Sequence, residues 1–389
     1  MQETAAREGI RALRDNMRAR VADVIDETIT IQQIPAPTFE EAERADYAAG
    51  RFREIGLQDV TLDETFTALG RLPGANPDAP ALCISAHLDT VFPADTDLTI
   101  RRDGDSIHGP GIGDNSVGVA SLIGLAAACA EIGYVPPVDI WFAANSGEEG
   151  LGDLCGIKGV IDRIGDRVGA AVIVEGMSLG WVYHRAVAVR RLRVTCTGEG
   201  GHSWANFGRP SAIHGLARLV AEITAIEPAQ KPRTTYNVGV ITGGRSVNTI
   251  ADEAHFELDM RSLKPDALAR LEARVRGLID AARQEKLTFT ADVIGDRPGG
   301  SIKRTHPLVR LGRAVLEEIG IKAKYGIGST DANAWLARGF SAITVGITRG
   351  MNAHRLDEVL DTTMMPQGLQ QIALLAAAAA EVLRRGDLA

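Results

Sequence analysis

Apolar and polar positions follow two textures along the chain. Through the first half, short, mostly apolar runs lie between longer helical patterns. The runs at 81–86 (ALCISA), 138–144 (VDIWFAA) and 170–175 (AAVIVE) have the length and β-branched content of buried strands. The run at 117–132 (VGVASLIGLAAACAEI) is apolar on every side and predicts a buried helix. The texture returns late, with a helix over 306–320, a strand over 340–347 and a final alanine-rich helix. Buried strands separated by helices predict an α/β domain: a mostly parallel sheet with flanking helices.

Between these stretches the pattern changes. Segments 186–198 and 255–263 alternate apolar with polar residues, as in sheets with one wet face. Segments 211–226 and 265–284 are amphipathic helices. Strand, helix, two strands, helix, strand is the ferredoxin-like order. Residues 187–298 are therefore expected to form a small α+β domain, inserted into a discontinuous domain of residues 1–186 and 299–389.

Composition narrows the class. A chain of 389 residues exceeds one ordinary core, which agrees with two domains. A net charge of −8 argues against nucleic acid, which demands a basic footprint. Cys83, Cys129, Cys155 and Cys196 lack paired spacing and read as reduced, small hydrophobes, pointing to the cytoplasm. The charged, helix-periodic first 25 residues have no apolar signal core, and the alanine-rich tail carries Gln, Glu and Arg, so no membrane association is expected.

Candidate chemistry collects where apolar runs stop, and ligands of open α/β sheets gather at the carboxyl ends of strands. His87 and Asp89 follow the first strand; the spacing suits an imidazole that binds a metal through one nitrogen and is oriented through the other by the carboxylate. Asp114 lies in the glycine-rich GPGIGDN, which has neither dinucleotide nor phosphate-loop spacing. Glu148 and Glu149 stand side by side in WFAANSGEEGLG. Ser146 with Glu149 also has capping-box spacing, so this stretch alone could simply start a helix. Glu175 ends a third strand, and His354 follows a late one. Two imidazoles and three carboxylates (His87, Asp114, Glu149, Glu175, His354), without thiolate, suit two zinc or similar divalent ions, with cobalt or manganese as alternatives. One carboxylate can bridge ions about 3.5–4 Å apart that share an activated water. The second glutamate of the pair is then free to act as general base.

In order, HLDTV, GPGIGDN, GEEG, VEG, GGHS, NTIADEAHFELDMRS, GSTDA and AH before a Glu resemble the co-catalytic zinc exopeptidase and deacylase family. That family includes glutamate carboxypeptidase, aminoacylase, acetylornithine deacetylase and succinyl-diaminopimelate desuccinylase. The resemblance implies that His87 and Glu175 hold one metal, Glu149 and His354 the other, and that Asp114 bridges. It makes Glu148 the general base and Asp89 the residue orienting His87. It gives His202 to the oxyanion, Asn248 and Arg261 to a substrate carboxylate, and Gly328, Ser329, Thr330 and Asp331 to the substrate cleft. It also implies a homodimer through the inserted domain, with His202 serving the partner's site. Asn115-Ser116-Val117 departs from the Met-Lys-Gly that follows the bridging Asp in carboxypeptidase-like members.

The expected substrate is an N-acyl amino acid or a short peptide. Glu at position 175 resembles acylases and carboxypeptidases, where aminopeptidases carry Asp; an aminopeptidase of di- and tripeptides is the alternative. A non-catalytic scaffold should have lost ligands or the base, and all are present. His108, His184, His214, His255 and His306 read as surface or packing residues.

Overall fold

The computed structural model describes residues 2–283 and 286–387. The last residue of the 265–284 helix expected from sequence, and residues 1, 388 and 389 of the expected outer domain, lie outside the described residues. The chain divides into two compact units, Met1–Ala186 with Ser301–Ala389, and Val187–Gly300.

In the first unit, Ala81–His87 is buried at every position and pairs in parallel with Ile140–Asn145 on one side and Val168–Glu175 on the other. Ser341–Gly346 continues the parallel set beyond Val168–Glu175. Antiparallel pairings flank it, through Ala68–Leu72 and Gln58–Leu62 at one edge and Trp181–Ala186 toward the other. The central strands are mostly apolar because both faces are covered. Leu82, Ile84, Phe142, Val172 and Ile343 enter one core cluster, together with residues of Val117–Glu131 and Met365–Arg385. Cys83, Trp141, Ala143 and Ile173 enter another, with Ile157, Val160 and Trp335. The segment Ile112–Glu131 is long and apolar enough to cross a membrane by composition, yet 89% of it is buried inside the protein, where its apolar surface serves the core.

This sheet positions the chemistry. His87 lies opposite Asn145 in register, and Glu175 lies opposite Gly346, so the parallel strands end along one edge. The chain after Asn145 does not start a helix at Ser146, contrary to the capping-box reading. The helix is Cys155–Ile164, and residues 146–154 form a loop. Gly147, Gly150, Asp153 and Leu154 all adopt positive φ there, which a helix cannot contain.

The second unit has strands Ala188–Gly198, Thr234–Gly243, Glu253–Ser262 and Leu287–Arg297, with helices Ala212–Thr224 and Pro265–Ala281. Its antiparallel sheet runs from Thr234–Gly243 through Glu253–Ser262 and Ala188–Gly198 to Leu287–Arg297, the ferredoxin-like arrangement. Alternate residues Phe256, Leu258 and Met260 pack with Leu216, Leu219 and Val275 in a separate core. The edge strand Thr234–Gly243 leaves Val240 and Ile241 exposed.

Candidate metal centre

Asp114 lies in the tight loop before the buried helix. Gly111 supplies a positive φ of 71°. At Gly113 a side chain would collide with the Met177 sulfur. Asn115, in the segment that departs from the carboxypeptidase-like pattern, stitches this loop to the next strand. Its Nδ2 donates to the Val174 carbonyl at 2.8 Å, and its Oδ1 accepts from Gly176 N–H at 2.9 Å. Those two bonds flank Glu175.

The carboxylate of Asp114 faces two imidazoles. Oδ1 is 3.1 Å from His87 Nε2, and Oδ2 is 3.1 Å from His354 Nε2. Glu175 Oε2 is 3.6 Å from His87 Nε2, and Glu149 Oε1 is 2.9 Å from His354 Nε2. His87–Asp114–Glu175 and Asp114–Glu149–His354 are thus two ligand groups sharing Asp114. Glu148 lies within a third group, with His87 and Glu149.

These separations fit metal coordination. A tetrahedral ion with ligand bonds of about 2.0–2.1 Å separates its ligand atoms by about 3.3 Å. The observed nitrogen–oxygen distances of 2.9–3.6 Å bracket that value. The donors are nitrogen and carboxylate oxygen, as borderline divalent ions prefer.

The loop bearing the adjacent glutamates is held by other carboxylates. Glu148 N–H donates to Asp89 Oδ1 at 2.9 Å and Glu149 N–H to Asp89 Oδ2 at 2.8 Å, while Gly147 N–H donates to Glu41 Oε1 at 3.0 Å. Thr38 Oγ donates to Asp89 Oδ2 at 3.0 Å. The His87–Asp89 relation therefore differs from the expected one. His87 Nδ1 is 3.0 Å from the Asp89 main-chain oxygen and 3.5 Å from its carboxylate, which the loop amides occupy. Asp89 orients the ring chiefly through its backbone and shapes the glutamate loop with its side chain. Arg44, fully buried, donates to the carbonyls of Ile34 and Leu88 and supplies positive charge beside Asp89 and Glu41. On the other side, Glu358 accepts from Gly113 N–H at 2.7 Å and Asp114 N–H at 2.9 Å. Glu41 and Arg44 carry no sequence signal as site residues; Glu358 carries one only as the Glu that follows AH in the motif order.

Of the residues expected in the cleft, Asp331 is fully buried, with Oδ2 accepting from Asn145 Nδ2 at 2.8 Å. It braces the strand end from within and does not line an open cleft; burial pushes its carboxyl up to about 7. Gly328 and Ser329 are half-buried, as is Thr330, which bonds Thr344.

In the second unit, His202 pairs with Thr249, and Ser203 N–H donates to the Asn248 carbonyl at 2.9 Å, so His202 and Asn248 share one end of the sheet. Trp204 N–H and Ala205 N–H donate to His202 Nδ1 at 3.2 and 3.4 Å, leaving Nε2 to carry the ring proton. Arg261 lies opposite Val189, while Glu253 lies opposite Thr197. Arg261 is thus roughly 25 Å along the sheet from the His202 end. Its guanidinium pairs with Asp259 at 2.7 Å. The pairing of Asn248 with Arg261 on one carboxylate of one chain is not what this geometry permits. His184 bonds the Ile302 carbonyl and His306 caps the helix Pro307–Glu318, both packing roles; His214 is exposed.

Charge follows from these contacts. Burial alone would raise the Asp114 carboxyl, but the two imidazoles outweigh it and hold it well below the usual carboxylate range. Burial opposes charge on His87, yet Asp114, Asp89 and Glu175 raise it well above an ordinary histidine. Asp114 and Glu149 raise His354 to about 10. Without metal, His354 is therefore protonated at neutral pH and His87 is pushed toward its charged form, and a metal must displace such protons to bind. Loading two divalent ions at pH 7.5 is expected to release protons from this pair. Calorimetric titration in buffers of different ionisation enthalpy measures the number, which should fall as the pH rises toward 10. Uptake with no proton release would contradict the assignment of these two histidines.

Comparison with known proteins bears on the fold and on the class of protein. Residues 189–286 match the model of a peptidase dimerisation domain, and residues 68–164 that of peptidase family M28. A putative succinyl-diaminopimelate desuccinylase of Mycobacterium tuberculosis is 26% identical over 347 residues, covering 86% of this chain and 93% of the relative. Among solved structures, the yeast di-peptidase Dug1p from Saccharomyces cerevisiae has a TM-score of 0.77 at 13% identity, covering 96% of this chain and 98% of that one. A tripeptidase from Staphylococcus aureus has a TM-score of 0.75 at 20% identity, covering 93% and 99%. The fold, the order of motifs and the two matched segments agree with the resemblance to the zinc exopeptidase and deacylase family.

Proposed function

We propose that this chain hydrolyses the amide bond of an N-acyl amino acid or short peptide whose free carboxylate adjoins the scissile bond. One observation carries the reading: the two oxygens of Asp114 each face an imidazole, and one further carboxylate flanks each, Glu175 at His87 and Glu149 at His354. Two divalent ions bound there, most simply Zn2+, would lower the pKa of a shared water and polarise the substrate carbonyl. His87 and Glu175 would hold one ion and Glu149 and His354 the other, with Asp114 shared between the two groups. Glu148, fixed through its own N–H to Asp89, takes a proton from the attacking water and returns it to the leaving amine. His202, with its proton on Nε2, donates to the developing oxyanion. Arg261 swings from Asp259 to the substrate carboxylate. The free cysteines Cys83, Cys129, Cys155 and Cys196 suit a reducing cytoplasm.

A small substrate cannot touch both ends of one insert. If His202 and Arg261 serve the same reaction, they come from two chains. A homodimer through the edge strand Thr234–Gly243, with its exposed Val240 and Ile241, provides the second chain. The match to a dimerisation domain supports this.

Glu148→Gln should keep both ions while turnover falls by a factor on the order of 10²–10⁴. Metal analysis that finds an ion lost from Glu148→Gln but not from Glu149→Gln would reverse the two roles. Arg261→Ala should raise KM for free-acid substrates by about 10–150-fold, the equivalent of a charge-assisted contact of about 1.5–3 kcal/mol. Equal wild-type rates on free-acid and C-terminally amidated substrates would instead favour an aminopeptidase. Mixing His202→Ala with Glu148→Gln should restore activity, because one site of the mixed dimer has an intact base and a partner's histidine. No recovery despite demonstrated subunit exchange would show that His202 does not act across the dimer.

A further inference from the structure

We propose that Glu358 is the positioning residue for the bridging carboxylate: it ties the turn carrying His354 to the loop carrying Asp114. Four main-chain N–H groups of that loop end on this one residue. Gly113 and Asp114 donate to Oε1 at 2.7 and 2.9 Å, Gly111 donates to Oε2 at 3.4 Å, and Gly109 donates to the Glu358 carbonyl at 3.0 Å. The glycine-rich loop makes a nest of amides of the kind that binds anions, and the protein fills it with its own side chain.

The location gives this contact its consequence. Glu358 is fully buried and stands four residues after His354, whose backbone adopts a positive φ of 65° and whose side chain is half exposed. Every other candidate ligand is anchored from its own side. His87 and Glu175 end paired strands, and Glu149 is held by Asp89. For His354, the described bonds to the rest of the site run through Asp114, Glu149 and this buried carboxylate. Glu358 therefore makes Asp114 and His354 one piece, and the Asp114–Glu149–His354 position depends on it more than the His87–Asp114–Glu175 position does. Glutamine has the same shape but only one acceptor oxygen. Its amide N–H groups would face either the Gly111 N–H or those of Gly113 and Asp114, so donors would meet donors.

The inference rests on the dimetal reading, and the test separates the two. Metal-free wild-type protein and Glu358→Gln are titrated with Co2+, followed by calorimetry and visible absorption. Wild type should take two equivalents. Glu358→Gln should take the first almost unchanged and bind the second about 10–100-fold more weakly, the usual cost of losing an outer partner of a ligand. Its KM at saturating metal should stay that of wild type, and its turnover should return as metal is raised. Glu358→Asp, which keeps both acceptor oxygens, should recover part of the second affinity. Two equal, unchanged equivalents in Glu358→Gln, or equal weakening of both, would overturn the positioning role. Fewer than two equivalents in wild type would overturn the dimetal reading and the inference with it. Should Glu358→Gln not fold, hydrogen exchange on metal-free wild type decides. Slow exchange of the amides of residues 111, 113 and 114 is expected, and exchange at open-loop rates would sink the proposal.

Discussion

The site depends on buried carboxylates accepting main-chain N–H groups. Asp89 takes the amides of Glu148 and Glu149, Glu41 takes that of Gly147, and Glu358 takes those of Gly113 and Asp114. Both ligand-bearing loops are glycine-rich and lie outside the sheet, so they have no ladder to satisfy their backbones. A carboxylate offers two oxygens and several lone pairs, enough to gather consecutive amides that point the same way. Each such contact fixes a loop without a side chain of its own, which leaves the loop's carboxylates free to face the centre.

That solution concentrates negative charge. Asp114, Glu149 and Glu175 converge on two imidazoles, Glu148 lies beside His87 and Glu149, and Glu41, Asp89, Asp331 and Glu358 are the buried acids around them. Arg44 is the buried cation beside this group, and burial lowers it to about 10 even with Asp89 and Glu41 opposing. Burial also pushes Glu358 up to about 7 and raises Glu175 and Glu41. Desolvation and mutual repulsion thus both work against keeping every acid ionised. Divalent cations would offset this surplus, and in their absence the imidazoles of His87 and His354, both pushed toward their charged forms, offset part of it.

The fold is legible in the sequence where one local pattern has one meaning. Short, mostly apolar runs such as 81–86 read as strands buried on both faces, and a parallel sheet follows. Alternation at 255–263 requires one wet face. The candidate ligands are legible because each polar side chain interrupts or follows an apolar run at a strand end. Glu41, Arg44 and the role of Glu358 are not, because their partners are backbone groups of distant loops, and no spacing encodes that. Asp331 misleads for the same reason: its motif suggests a cleft, and only tertiary packing buries it against Asn145. The Ser146–Glu149 spacing has the form of a helix start, but the amides that would begin the helix are taken by Glu41 and Asp89.

The two halves of the centre are supported unequally. His87 and Glu175 end adjoining strands of a fully buried sheet, and Asn115 bonds the main chain on both sides of Glu175. Their spacing is set by the strand separation, which side-chain motion cannot change. Glu149 and His354 sit on loops, the first through Asp89, the second on a half-exposed turn with left-handed backbone. Asp114 belongs to both halves, and its own loop is clamped from the His354 side by Glu358 and from the Glu175 side by Asn115. The Asp114 carboxylate is therefore the point where strand ends of a buried sheet and the loops carrying Glu149 and His354 are brought to one geometry.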